Sequence, residues 1–443
     1  MPPDLSPLDG PPHASERGAA PRRVDVVGIG ADGWSSLAEA SRALVGEASV
    51  VLGSARQLAL LPAVEGQRRR PWGRPFGASL PLTLAAHADD EVVVLASGDP
   101  TVSGIASTLR ALVPRERLVV HPAVSSLALA RARLHWSDEE CEALTLVGRD
   151  TDRLRRHLAP GVRLLLLTSD AGTPATVAAL LVEEGYAASD LTVLGDLGAA
   201  HESRLEATAG GWADVAAADV PALHVLALEV RPTGGDVAPT GSWTTGLPDD
   251  AFEHDGQLTK RDLRASALSR LAPRPHEVLW DVGAGAGSIG IEWLRAHPSL
   301  QAWAFEADAG RAERVRRNAR RLGVPHLQVR EGRAPAVLER QPSPHAVFVG
   351  GGATAPGLLE HCRAALRPGG RLVVHGVTLE TEQLLAAAYA EHGGELTRHG
   401  VETAAPIGTF TGWTPSRAVT QWAWTAPPDH PTRWPGDPDW STP

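Results

Sequence analysis

Short apolar runs that stop at glycine-rich turns recur along this chain, each followed by a stretch with helical spacing. Strand, turn and crossover helix in that order predict parallel sheets. In the first part Val24-Asp25-Val26-Val27 reaches Gly28-Ile29-Gly30, a helix spans 37–47 and a strand covers 49–53. Residues 91–96 form a further strand that runs into Ser97-Gly98-Asp99-Pro100. Val119-Val120-His121 stops at Pro122, and Ser125 and Ser126 are placed to cap a helix over 127–134. A second block then reads as strand 163–168, helix 174–184, strand 191–194 and a closing strand 223–230.

After a Pro/Gly-rich linker at 231–250, the rhythm returns in its clearest form. Thr259 is placed to cap a helix running to Leu271. Val278-Leu279-Trp280-Asp281-Val282 then meets Gly283-Ala284-Gly285-Ala286-Gly287 and passes into an amphipathic segment. One helix later Ala302-Trp303-Ala304-Phe305 ends in Glu306. Strands at 327–329, 345–349 and 372–375 follow, the first leading to Glu331-Gly332-Arg333-Ala334-Pro335 and the second to Gly350-Gly351-Gly352.

Composition narrows the class. At 443 residues the chain is too long for one core, so two or three domains are expected. Hydrophobic residues at 43% and charged residues at 21% are ordinary for a globular protein. No apolar run approaches the roughly 20 residues that span a bilayer, and the N-terminus lacks a secretory pattern, so no membrane partner is expected. A formal net charge of −10 argues against nucleic acid. Cys141 and Cys362 have no metal-ligand spacing and read as buried thiols in a reducing, cytoplasmic setting, with no metal site. Residues 1–22 and 427–443 have the composition of a disordered leader and tail.

The glycine turn after Val282 carries the first chemistry. Alternate glycines let backbone approach a ligand, and an acid about 20 residues on, Glu306, is the expected partner of a ribose diol. Asp281 at the strand end suits a pyrophosphate badly and a cationic sulfonium well, which favours S-adenosylmethionine over a dinucleotide. Elsewhere, Gln67-Arg68-Arg69-Arg70-Pro71-Trp72-Gly73-Arg74 reads as a basic loop, either a solvated run or a clamp for substrate carboxylates. Asp99 reads either as a ligand contact or as a carboxylate that shapes its own loop.

Two family resemblances rest on these residues. Gly28-Ile29-Gly30, Ser97-Gly98-Asp99-Pro100, Pro122 to Ser126 with Ala130-Arg131, Leu146 to Asp150, Leu167-Thr168, and Leu194 to Gly198 with Glu202 resemble the tetrapyrrole methylases, most nearly the CbiE-type enzymes. Leu258-Thr259-Lys260 through Arg264, Asp281 to Gly287, Val349 to Gly352 and Val377-Thr378-Leu379-Glu380 resemble the CbiT-type class I methyltransferases. The resemblance implies an α/β chain with two parts: a two-lobed tetrapyrrole methylase fold at 23–230 and a Rossmann-like class I fold at 251–426. The pairing resembles the CobL-type fusions of the corrin pathway. It implies S-adenosyl-L-methionine-dependent methylation of precorrin-6Y at C5 and C15, with decarboxylation of the C12 acetate to give precorrin-8. It further implies a polycarboxylate tetrapyrrole substrate and a homo-oligomer, dimer or tetramer.

Expected cofactor contacts are Gly98, Asp99, Ser125, Ser126 and Gly148 in the first part. In the second they are Asp281, Gly283, Gly285, Gly287, Glu306, Arg333 and Ala334. Lys260, the only lysine, Glu380, and His375, where the family commonly has Asn, are substrate-side candidates. Methyl transfer to an aligned carbon needs no metal, and no catalytic acid–base pair is assigned. Two other readings remain: another corrinoid or tetrapyrrole substrate, with the first part a non-catalytic binding module, and a nucleotide-dependent oxidoreductase built on the glycine turn.

Overall fold

The computed structural model describes residues 20–234 and 242–431. The expected leader and tail thus lie largely outside the described residues, as does the centre of the linker. By compactness the chain divides into Met1–Arg149 with Ala159–Gly235, and Asp150–Leu158 with Asp236–Pro443.

In the first unit, β1 (Arg23–Ile29), α1 (Glu39–Glu47), β2 (Val50–Gly53), α2 (Ala55–Ala59) and β3 (Arg68–Pro71) come in order. They are followed by α3 (Phe76–Ala85), β4 (Glu91–Ser97), α4 (Ile105–Leu112), β5 (Leu118–His121) and α5 (Ser126–Leu134). Then come β6 (Glu142–Thr145), β7 (Arg163–Leu167), α6 (Thr173–Glu183), β8 (Asp190–Gly195), β9 (Ser203–Thr208) and β10 (His224–Glu229). The first sheet is parallel throughout, in the order β3-β2-β4-β1-β5. Its inner strands β1, β2 and β4 are largely apolar on both faces because each face is covered: Val24, Val26, Val92 and Val94 pack with Leu80, Leu84 and Leu109. Val27, Ile29, Val93 and Leu95 pack on the other side with Leu37, Val45 and Leu58. The second sheet, β6-β7-β10-β8-β9, is mixed, with only β6 and β7 parallel. Helix α5 joins the two lobes by packing Leu127 and Ala130 against Leu165, Leu194 and Val225.

One expectation is corrected here. The basic run is not a loop: Arg68–Pro71 is edge strand β3, paired in parallel with β2 from Val50↔Arg68 to Gly53↔Pro71. Nor does it form a carboxylate clamp throughout. Arg69 donates to the carbonyls of Leu58, Leu61 and Pro62, and Arg68 pairs with Asp90 at 2.8 Å.

The second unit contains α7 (Arg261–Leu271), β11 (Val278–Val282), α8 (Ser288–Ala296), β12 (Gln301–Glu306), α9 (Ala309–Arg321) and β13 (Gln328–Glu331). It continues with β14 (Ala346–Val349), α10 (Leu358–Ala365), β15 (Arg371–Gly376), α11 (Leu379–His392) and β16 (Glu395–His399). The hairpin β17 (Glu402–Ile407) and β18 (Phe410–Pro415) precedes β19 (Val419–Thr425). The sheet order is β13-β12-β11-β14-β15-β19-β16, parallel up to β15, with β19 antiparallel to both of its neighbours, β15 and β16. Strand order reverses between β11 and β14, which opens a crevice at the carboxyl ends of those strands.

The last part of the expected linker is folded into this unit. Leu247 is buried, and the Gly246 and Leu247 amides donate to the Glu292 carboxylate on α8 at 2.6 and 3.0 Å. Glu292 is paired in turn with fully buried Arg264. Helix α7 starts one residue later than expected: Lys260, not Thr259, holds the N-cap position, and Asp249 accepts the Arg261 amide at 3.0 Å in place of a side-chain cap. Cys362 is buried, which pushes its thiol up to about 12, whereas Cys141 is only half-buried. Among the described residues no helix is long and apolar enough to cross a membrane.

Candidate functional site

The crevice of the second unit is built around the turn that follows β11. Gly283, Gly285 and Gly287 all lie at positive φ, +70°, +59° and +77°, which L side chains rarely adopt. Their missing side chains leave room for the chain itself rather than for a ligand. A Cβ on Gly283 would lie 2.9 Å from the Gly351 backbone, one on Gly285 2.8 Å from the Gln257 carbonyl, and one on Gly287 2.7 Å from Val315. The open glycines are elsewhere: Gly351 and Gly352, in the loop after β14, have nothing within 4 Å of where a Cβ would stand.

Glu306 ends β12 beside this turn. Its Oε2 accepts the Gly285 amide at 2.9 Å and its Oε1 the Asp308 amide at 3.1 Å, leaving lone pairs on both oxygens. Arg333 and Ala334 follow β13, whose Glu331 is in register with Glu306; Arg333 is exposed and Ala334 half-buried. The structure therefore gathers Gly283, Gly285, Gly287, Glu306, Arg333 and Ala334 at neighbouring strand ends.

Asp281 is placed differently from the expectation. Its carboxyl lies beneath the turn, 1% exposed, with Oδ2 accepting the Gly290 amide at 2.9 Å. Burial, with a smaller push from Glu306, raises its pKa to about 7, so it is not a fixed anion facing a sulfonium. The folded chain then holds a proton that the unfolded chain releases above 3.8, so this residue stabilises the fold at low pH. That stability falls as pH rises from about 4 to about 7, by roughly 4 kcal/mol at most. Denaturant titrations across that window should show the slope in the native chain, and Asp281→Asn should flatten it.

The substrate-side candidates scatter. Lys260 is exposed, 3.5 Å from Asp249. Glu380 is exposed in the first turn of α11, its carboxyl held below the usual range by hydrogen bonds from its own amide and the Thr378 side chain. His375 is buried on β15, edge-on to Phe348 and 2.8 Å from the Gln421 side chain. Burial pushes its pKa down to about 4, so it is neutral and part of the packing rather than an open substrate contact.

In the first unit the loops after β1, β4 and β5 converge because those strands are adjacent. A Cβ on Gly98 would lie 3.2 Å from Ser125 and 3.4 Å from the Ser126 amide. Asp99 shapes its loop, accepting the Thr101 amide and hydroxyl at 2.8 and 2.7 Å. Ser125 caps α5 by accepting the Ala128 amide at 3.1 Å, and Ser126 is the first helical residue. Gly148 belongs to the second lobe, at φ +64°, with its amide donating to Ser169 at 3.2 Å. Glu202 receives Arg133 of α5 through two bonds, at 2.6 and 3.0 Å, and the Gly198 amide at 2.9 Å.

Residues 250–426 match the family described as precorrin methyltransferase domain, and residues 23–212 match the tetrapyrrole (corrin/porphyrin) methylases. A precorrin-6Y C(5,15)-methyltransferase [decarboxylating] from Sinorhizobium sp is 43% identical over 403 residues, 91% of this chain and 96% of that protein. One from Mycobacterium tuberculosis (strain CDC 1551 / Oshkosh) is 42% identical over 401 residues, covering 90% and 99%. The chain belongs to this family. Among solved structures, the C-terminal domain of precorrin-6Y C5,15-methyltransferase from Rhodobacter capsulatus is 42% identical, covering 42% of this chain and 99% of that one, with a TM-score of 0.40.

Membership makes the chain a methyltransferase with a tetrapyrrole methylase unit and a class I unit. Several residues at its candidate sites escaped the sequence reading. Gly290 gives Asp281 its amide and its space: a Cβ there would be 3.2 Å from Oδ2. Asn318 is buried on α9 and bonded to the glycine turn. Its signal was present, a polar residue on the stripe of Ala312, Val315, Ala319 and Leu322. In the first unit Thr168, part of the family match, bonds His224 at 2.9 Å, and it is His224 on β10 that no local pattern announces.

Proposed function

We propose that this chain uses S-adenosyl-L-methionine to methylate precorrin-6Y at C5 and C15 and to remove the carboxyl of its C12 acetate, giving precorrin-8. The observation that carries the reading is the joining of two unrelated methyltransferase folds in one chain, each with a loop cluster at the carboxyl ends of adjacent parallel strands. Two such units in one chain suit one substrate methylated at two carbons: the first unit would take C5, and the second, CbiT-like unit C15 with the decarboxylation.

In the second unit the residues present fit the cofactor. Glu306 retains acceptor capacity for a ribose diol, Gly351 and Gly352 leave open space beside the turn, and Arg333-Ala334, after the strand beside Glu306, are assigned to the adenine edge. The cofactor supplies an electrophilic methyl group on a sulfonium. The chain's own part is alignment: the turn and Glu306 fix the donor, so the ring carbon meets it in line. Loss of the carboxyl as carbon dioxide leaves an electron pair that the conjugated macrocycle accepts, and a proton taken from solvent then completes the methyl group, so the protein need only hold the acetate against the ring in a dry pocket until the carboxyl has left. In the first unit, Gly98, Ser125 and Ser126 line the converging loops, and Gly148 in the second lobe is assigned to the same cofactor. Asp99 and Asp281 serve each site by shaping it.

Mass spectrometry of the full chain with precorrin-6Y and labelled S-adenosyl-L-methionine tests the reading. The native chain should add two methyls and release carbon dioxide. Gly104→Val, whose side chain would collide with the Pro100 backbone in the β4 loop, should leave one methyl and the decarboxylation. Two methyls retained in that variant would make the first unit a binding module. No product from the native chain would move the assignment to another corrinoid.

A further inference from the structure

On the cofactor reading of the glycine turn, we propose that Asn318 is a positioning residue that locks the lead-in strap, residues 246–260, against that turn. Asn318 sits on the buried stripe of α9 at 1% exposure, where an unpaired amide would be costly. Each polar atom of its side chain is engaged. Nδ2 donates to the Ala286 carbonyl and to the Glu253 carbonyl, both at 2.9 Å, while Oδ1 accepts the Glu253 amide at 2.9 Å. Ala286 stands between Gly285 and Gly287 inside the turn, and Glu253 lies in the strap. One side chain therefore binds both.

Two close approaches place the strap and α9 as walls of the turn. The Gln257 carbonyl of the strap leaves no room for a Cβ on Gly285, and Val315, one helical turn before Asn318, leaves none on Gly287. The strap's other ties to α9 are of another kind. Arg311 and Arg314 pair with Asp255 at 2.9 and 3.0 Å, and Arg317 with Glu253 at 2.6 Å, on carboxylates a third or more exposed. Such pairs are screened by water and salt and fix register weakly. The buried amide fixes it in three directions at once. Only an amide supplies one acceptor and two donors in one plane, and glutamine carries them a methylene too far. Asn318 acts on the cofactor through the turn, whose geometry has to hold within about 0.5 Å to work.

The test uses the full chain with Asn318→Asp, which keeps the acceptor for the Glu253 amide and removes both donors, and Asn318→Ala. Calorimetric titration with S-adenosyl-L-methionine should show one of the two sites weakened about tenfold or more, with the other unchanged. The KM for that cofactor in carbon dioxide release should rise by the same factor with kcat nearly constant, and the other methylation should keep its kinetics. Unchanged affinity at both sites in Asn318→Asp overturns the proposal. So does a fall in kcat with KM unchanged, or equal losses in both methylations, which mark a merely structural role. If Asn318→Ala fails to fold, Asn318→Asp alone decides by the same measures. A native chain that binds the cofactor at only one site, and not in the second unit, refutes the cofactor reading instead.

Discussion

Gly285→Val is expected to cut the methylation and decarboxylation assigned to the second unit by a factor of about 100 or more while sparing the other methylation. Three effects add at this position. Its φ of +59° is strained for a β-branched residue by about 1–3 kcal/mol. Its Cβ would stand 2.8 Å from the Gln257 carbonyl, which is backbone and cannot swing aside. Relief of either moves the Gly285 amide, and with it the 2.9 Å bond that orients Glu306. Product analysis should therefore show a singly methylated macrocycle that keeps its acetate carboxyl. Full activity would mean that the turn is not the cofactor site.

Arg264→Met is expected to destabilise the second unit by about 3–5 kcal/mol, read as a lower midpoint in denaturant. Arg264 is fully buried, 2.5 Å from Glu292 and from the Thr259 carbonyl, bonded also to the Leu247 carbonyl, and stacked 4.8 Å from the Phe252 ring. Methionine fills much of the volume but removes the guanidinium paired with the Glu292 carboxylate, which keeps the Gly246 and Leu247 amides and the field of Arg295. The cost is that of a buried charge that has lost its direct ion pair, so Arg264→Met combined with Glu292→Leu should recover a good part of it. Additive losses in the double variant would show that the pair is not coupled.

The elements legible in the sequence are those whose side chains state their own environment. Strands β1, β4, β11 and β14 are apolar on both faces because helices cover both, and each ends at a turn that requires glycine. Strand β3 was read as a loop because Arg68–Pro71 presents no apolar face; it is a strand only because β2 offers its backbone edge. Strand β19, inserted antiparallel between β15 and β16, depends on the same kind of remote pairing.

The candidate sites divide in the same way. Glu306 follows from spacing, since a strand, a turn and a crossover helix bring an acid of that separation back beside the glycines. Asp281 and His375 were legible as residues but not as roles. Whether a carboxyl or an imidazole faces a ligand or the interior depends on which side of the strand end its neighbours close, and Gly290 and Gln421 close it from 9 and 46 residues away. Local sequence thus determined the two methyltransferase folds, their glycine turns and the acid that ends the next strand, because strand period, helix period and positive φ are properties of short segments. Only the tertiary structure decided that the turn is walled by a strap, that Asp281 lies buried beneath it with its pKa raised and that Asn318 ties the parts together. Burial and hydrogen-bond partners are set by chain segments that meet only in the folded molecule.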